Sequence, residues 1–234
     1  MLVRLIAALA LVASSSVVDR AQQASATSTE LGGRVILPSL GKKTRTPAVV
    51  VWLTPLVGTP AVPAPAPGKF TLVQKNRMFR PHLLVIPVGS MVSFPNEDPF
   101  FHNVFSMFNG KRFDLGLYEA GGSRDVQFSR EGVSYIFCNI HPEMSSLVIA
   151  LATPLYAVMD SSLKFVVHAA PQGEYVLHVW IEGTPQPDLD RLSRRIVVRE
   201  GESVTVDASN TYHPADSHLN KFGKPYDRAA RPPY

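Results

Sequence analysis

A cysteine, a histidine and a methionine lie close together in the second half of the chain. The run over 138–144 reads Cys-Asn-Ile-His-Pro-Glu-Met and directly follows the strand-like run that ends at Phe137. A further histidine, His102, stands 36 residues before the cysteine in an aromatic stretch. Together these side chains offer one thiolate, two imidazoles and one thioether, all of which are ligands of transition metals.

The donor types indicate which metal the cluster would hold. Two imidazoles and a thiolate in a plane, with a long axial thioether, form the donor set of a blue-copper centre, because soft sulfur suits Cu(I) and imidazole suits both oxidation states. A C-x2-H-x2-M loop can bring three donors to one ion, and His102 on an adjacent strand would supply the fourth. Pro142 would stiffen the loop. The pattern predicts copper ligands at His102, Cys138, His141 and axial Met144, supported by the amide or backbone N–H of Asn103.

Each of these residues has a commoner role when it occurs alone. A buried cysteine is more often a small apolar side chain, and a methionine more often fills a core. A histidine among aromatic rings often only packs. Zinc could also occupy such a cluster, although the thioether favours copper. The Cys–His pair could belong to a hydrolase, but a spacing of three residues on a turn beside a methionine favours a metal.

The composition excludes several other kinds of site. The 234 residues include 20 prolines, 15 glycines and one cysteine, so no intramolecular disulfide and no four-cysteine metal site is possible. Charged residues make up 18% of the chain and form no run of like charge, which argues against a nucleic-acid groove. Multicopper enzymes need further histidine clusters, and the chain has no H-x-H pair. We therefore expect no catalytic residues and no enzyme activity.

The elements that must position these donors are short strands. Proline is excluded from helix interiors and central strands, so its abundance predicts many short strands joined by turns. Turn signals separate β-type apolar runs over 83–86, 92–94, 133–137 and 147–150. We therefore expect an all-β chain in which the donors lie on a β-sandwich.

Five segments in this region resemble the cupredoxin family in the order found in plastocyanin and amicyanin. They are 78–81, 85–89, 91–96 followed by Asp98, 102–104 and the Cys138 loop. The resemblance implies a Greek-key β-sandwich over 69–153 with one type 1 copper ion at one end, held by the four predicted ligands. It also implies one-electron transfer, with protein redox partners docking near His141, where the ring would reach the surface through an apolar patch.

The flanking stretches predict a second, smaller β-sandwich. Residues 154–208 resemble carboxypeptidase regulatory-like (transthyretin-like) modules, whose first strands would here come from 27–56. The cupredoxin-like unit would then be inserted into the module after a proline-rich linker over 57–68, which is extended and semi-rigid. The polar, aperiodic residues 209–234 are expected to form an extended tail.

The first 26 residues have the parts of a secretory signal peptide. Arg4 precedes a short apolar run, and Ala-Ser-Ala over 24–26 resembles a cleavage site. The run has about 14 residues, fewer than the roughly 20 that span a bilayer, so we expect export to the periplasm or another extracytoplasmic space rather than a membrane anchor. The sequence thus predicts an exported one-electron carrier. A copper-delivery protein and a structural β-sandwich module remain alternatives, and the oligomeric state is open.

Overall fold

The computed structural model describes residues 28–39, 45–107, 110–212 and 219–226. The expected signal peptide over 1–26 lies outside these residues. Within them the fold is all-β, as predicted, with seventeen strands and one short helix. The strands are β1 (Ser28–Ile36), β2 (Val49–Pro55), β3 (Lys69–Thr71), β4 (Val73–Lys75), β5 (Met78–Arg80), β6 (Leu83–Pro87), β7 (Met91–Ser93), β8 (His102–Ser106), β9 (Phe113–Tyr118), β10 (Asp125–Gln127), β11 (Gly132–Phe137), β12 (Ser145–Leu151), β13 (Tyr156–Val158), β14 (Lys164–Pro171), β15 (Gly173–Ile181), β16 (Arg194–Val198) and β17 (Ser203–Asp207), and the helix is α1 (Gln186–Leu192).

The central part of the chain forms one sandwich. A five-stranded sheet in the order β6-β12-β11-β8-β9 faces a three-stranded sheet in the order β10-β7-β3, and β4 and β5 form a separate hairpin. Apolar residues from both sheets form a common core, among them Val92 and Val126 from one and Val104, Ile136 and Val148 from the other. The predicted donors belong to the larger sheet and its loops.

A second sandwich combines the two ends of the chain. β1 pairs antiparallel with β14 and parallel with β17, whereas β2 lies between β13 and β15. The resulting sheets, β14-β1-β17 and β13-β2-β15-β16, enclose their own apolar core. Residues 57–68 lead into β3 and include four prolines and two glycines. They form no strand, because proline cannot donate a hydrogen bond to a sheet ladder.

Strand β12 joins the two sandwiches. Its side chains alternate between the faces of the sheet, as in any strand. Val148 and Ala150 face the core of the first sandwich, whereas Leu147, Ile149 and Leu151 pack into the core of the second. This double burial explains why β12 is a continuous apolar run rather than an alternating one. Since β12 also follows the predicted ligand loop, both cores fix the end of that loop.

No helix among the described residues has the length and apolar character needed to cross a bilayer.

Candidate metal centre

The predicted donors meet at one end of the larger sheet. His102 is the first residue of β8, and Cys138 directly follows β11, the strand next to it. The loop from Cys138 to Met144 returns the chain antiparallel into β12. Two backbone hydrogen bonds close this loop: the N–H of Cys138 donates to the carbonyl of Met144 at 3.3 Å, and the N–H of Met144 donates to that of His141 at 3.1 Å. The loop is therefore held in shape by its own backbone.

Three of the predicted ligands bring their donor atoms together. Sγ of Cys138 lies 3.9 Å from Nδ1 of His102 and 3.6 Å from Nδ1 of His141, and the two Nδ1 atoms are 3.1 Å apart. All three side chains are buried. The fourth, Met144, is fully buried in the same core as Cys138.

These separations suit a first-row metal ion. Metal–nitrogen bonds of about 2.0 Å and metal–sulfur bonds of about 2.3 Å place adjacent donors in a tetrahedral or trigonal site about 3.3–3.7 Å apart. The three measured separations lie close to that range. The donor set of two imidazoles, one thiolate and a nearby thioether is the set that copper prefers. The residues present therefore fit a copper ion.

Asp98 holds His102 in the orientation that a metal site needs. Nε2 of His102 donates a hydrogen bond to Oδ2 of Asp98 at 2.8 Å, which leaves the lone pair of Nδ1 facing Cys138. The same carboxylate accepts the backbone N–H groups of Asn76 and Arg77 at 2.6 and 2.9 Å. Those two residues have positive φ angles and turn the chain from β4 to β5. Asp98 thus ties the hairpin to the first histidine.

Burial keeps both imidazoles neutral. Desolvation lowers the pKa of His102 in spite of the opposing carboxylate, and desolvation together with the neighbouring His102 lowers the pKa of His141 to about 4. Neutral rings keep the lone pair that a metal needs. Burial also raises the pKa of the Cys138 thiol, which the backbone N–H groups of Asn103, Ile140 and His141 oppose. The site therefore favours a thiolate only with a compensating cation.

Asn103, the predicted supporting residue, has a backbone N–H that lowers the pKa of the Cys138 thiol against the effect of burial. Its side chain is turned toward β9, since Nδ2 donates to Oδ1 of Asp114 at 2.7 Å and to the carbonyl of Gly116 at 3.0 Å. Asn103 thus ties β8 to β9 next to the Cys138 loop.

His141 does not reach the surface in the way expected of it. The residue is only 3% exposed, and its ring lies 5.8 Å from the ring of Phe100. The guanidinium of Arg77 lies over the Phe100 ring, 5.2 Å from its centre. His141 is buried because the loop before β8 folds over it. Any surface route to the site therefore passes through the side chains that cover this histidine.

Two parts of the site were not predicted from the sequence. The sequence carries only a weak signal for Asp98, which is an acid 4 residues before His102 in a loop rich in turn residues. The second part is the segment Leu219–Tyr226, which returns to the Cys138 loop through Lys221 and Tyr226. No local pattern predicts a contact between residues more than 80 positions apart.

These observations define an all-β protein with a buried cluster of two histidines and one cysteine. No family model and no curated protein matches the chain. Among solved structures, a purple cupredoxin from Nitrosopumilus maritimus matches with 28% identity and a TM-score of 0.32, over 35% of this chain and 98% of that one.

Two further solved structures are similar. A copper-containing nitrite reductase from Thermus scotoductus SA-01 matches with 24% identity and a TM-score of 0.35, over 51% of this chain. The chain spans 28% of the length of that reductase. A methionine-to-alanine mutant of amicyanin in the Cu(I) state matches with 16% identity and a TM-score of 0.34, over 36% of this chain and 82% of that one.

Proposed function

We propose that this protein binds one type 1 copper ion and carries single electrons between redox partners. His102, Cys138 and His141 would hold the ion, and Met144 would supply a fourth, weaker ligand. The observation that carries the proposal is the convergence of two imidazole Nδ1 atoms and one Sγ within 4.8 Å in a buried position. Copper held there supplies one-electron chemistry, since it alternates between Cu(II) and Cu(I).

The surroundings of the donors suit electron transfer. Asp98 fixes the ring of His102, and the backbone hydrogen bonds of the loop fix Cys138 and Met144. Donors held in place by the protein move little between two oxidation states, which favours fast exchange of an electron. The burial of all four side chains excludes water and supports electron transfer, which needs no contact with a substrate, over catalysis.

Partner proteins would dock at the end of the sandwich that holds His141. Phe101, next to the first ligand, is 45% exposed, and Leu117, which pairs with Asn103 across β8 and β9, is 59% exposed. Exposed apolar side chains near a buried redox site favour brief, weakly polar contacts with another protein. An electron would then pass through Phe100 and His141. The export segment expected over 1–26 supports a role outside the cytoplasm.

The direct test of copper binding is spectroscopic. The full chain is reconstituted with Cu(II), and the copper content, visible spectrum and EPR spectrum are recorded. We expect one copper per chain with an intense thiolate-to-copper band in the red, which Cys138→Ser abolishes. His102→Gln should lose this band, whereas His168→Gln, at an exposed histidine, should keep it. A wild-type protein that binds copper without the band, or binds none, would overturn the proposal.

A further inference from the structure

The segment Leu219–Tyr226 packs against the Cys138 loop at the metal end of the first sandwich. It forms a compact turn: the backbone N–H groups of Phe222 and Lys224 donate to Oδ1 of Asn220 at 2.9 and 3.1 Å. Gly223 closes the turn with a φ of +71°, a conformation that favours glycine. This part of the expected extended tail is therefore folded.

One end of the turn contacts the carbonyl of a predicted ligand. Oη of Tyr226 donates a hydrogen bond to the backbone oxygen of Cys138 at 2.7 Å. At the other end, the backbone N–H of Lys221 donates to Oδ1 of Asn139 at 3.1 Å. Both acceptors belong to the first two residues of the ligand loop. The segment thus holds the loop at the point where the chain leaves β11.

A second connection joins the segment to Asn103. Nζ of Lys221 lies 2.7 Å from Oδ2 of Asp114, and the other oxygen of that carboxylate accepts the Nδ2 hydrogen of Asn103 at 2.7 Å. The lysine and aspartate side chains are about a quarter exposed, so solvent screens the pair only in part. Lys221 is thereby connected through Asp114 to Asn103, whose backbone N–H lowers the pKa of the Cys138 thiol against the effect of burial.

We propose that the segment Leu219–Tyr226 is part of the metal site, with Lys221 and Tyr226 as positioning residues that hold Cys138, Asn139 and Asn103. Its influence on copper rests on the proposed function, but its hold on the loop does not. Hydrogen-bonded partners outside the ligands set the orientation and electronic properties of a metal site. The distal C-terminal segment, which joins no sheet, would then tune the centre of the inserted sandwich.

The lone cysteine allows a test without copper. In the copper-free full chain, Cys138 is the single target of a thiol reagent such as an aromatic disulfide. Loss of one hydrogen bond worth about 0.5–1.5 kcal/mol makes local opening of the loop about two to ten times more frequent. We expect Tyr226→Phe, which removes the hydrogen bond to the Cys138 carbonyl, to accelerate the reaction by about that factor. Lys221→Met keeps the backbone N–H that binds Asn139 and should accelerate it less. Lys224→Met, at an exposed lysine on the same turn, should react like wild type.

The copper-loaded protein gives the second readout. Lys221→Met leaves the Asp114 carboxylate without its cation, so negative charge favours Cu(II) and the reduction potential should fall. Tyr226→Phe should shift the thiolate-to-copper band. Lys224→Met removes an equal charge from the same turn and should change neither property at physiological salt, where exposed charges are screened within about 8 Å.

Two results would overturn the inference. One is that the thiol reacts in Tyr226→Phe at the wild-type rate. The other is that Lys221→Met and Lys224→Met shift the potential equally, since a general charge effect would then account for both. If the wild-type chain binds no copper, the proposed function fails, and the thiol rates alone still decide whether the segment holds the loop.

Discussion

Nε2 of His102 donates a hydrogen bond to Oδ2 of Asp98 across 2.8 Å, and both side chains are buried. This contact places a negative charge next to one predicted ligand and turns the other nitrogen of that ligand toward Cys138. The carboxylate also accepts two backbone N–H groups of the β4–β5 turn. One residue therefore sets both the orientation of a predicted ligand and the charge beside the proposed copper site.

Replacing Asp98 should change the reduction potential and affinity of bound copper more than it changes the fold. In Asp98→Asn the amide oxygen can still accept one hydrogen bond, but the charge that stabilises Cu(II) is lost. We expect the reduction potential to rise and the affinity for Cu(II) to fall about 10- to 100-fold. The control is Glu97→Gln, which removes an exposed neighbouring acid paired with Lys75. Equal potentials and affinities in the two variants would rule out the role of Asp98.

The proposed axial coordination of copper by Met144 can be tested by removing its sulfur. Met144→Leu keeps an apolar side chain of similar volume in the core and removes the sulfur. We expect copper to remain bound to the other three ligands and the potential to rise, because a thioether donor to Cu(II) is lost. Met159→Leu makes the same change in the core of the second sandwich. A potential that matches that control would exclude Met144 from coordination.

The contacts of Glu182 link the two sandwiches, and we expect the stability that they contribute to depend on pH. Burial disfavours its charge, but hydrogen bonds from His82 and the N–H of Ala48, with the charge of Arg45, keep its pKa below the ordinary 4.5. A carboxylate with a lowered pKa stabilises the fold fully above pH 4.5, and the contribution disappears as the pH falls through the folded value.

Urea unfolding of Glu182→Gln measures this contribution. At pH 7 the variant should lose about 0.5–1.5 kcal/mol of unfolding free energy, because the partly exposed donors of His82 and Ala48 lose a charged acceptor. The difference from wild type should shrink as the pH falls below 4.5. Glu200→Gln, on an exposed turn, should show no such difference at either pH. A constant deficit for Glu182→Gln across the pH range would contradict the assignment.

Substitutions of two adjacent glycines in β1 test whether this strand packs between β14 and β17. A Cβ on Gly33 would lie 2.3 Å from Cζ of Phe165 and 2.5 Å from the carbonyl of Val204, whereas one on Gly32 would meet nothing within 4 Å. Gly33→Ala should therefore cost about 1–3 kcal/mol through overpacking. Gly32→Ala should cost little. Equal unfolding free energies for the two variants would show that β1 does not pack between β14 and β17 as described.

The all-β fold could be predicted because proline content and short apolar runs report it locally. Helix α1 was not predicted: it has seven residues, too few for a helical period to stand out, although Pro187 and Asp188 near its start and Arg191 in its last turn suit a helix. The apolar run of β12 predicted a strand, but that its two faces enter two cores depends on the whole assembly.

The donor set was also visible in the sequence, because three of its members share one loop. The partners of those donors were not. Asp98 acts on His102 only because a hairpin brings the loop into place, and Tyr226 reaches Cys138 across 88 positions. The burial of His141 likewise depends on Phe100, whose ring could have packed elsewhere in the sandwich core. Such contacts are set by tertiary packing, which local patterns do not encode.

The measurement that tests the central claim most directly is a redox titration of the copper-loaded chain in the presence of a Cu(I) chelator, followed through the thiolate-to-copper band. An electron carrier loses the band on taking up one electron per copper and regains it fully on reoxidation, with the copper retained. Transfer of the copper to the chelator on reduction, with no band on reoxidation, would contradict electron carriage and identify a copper-delivery protein instead.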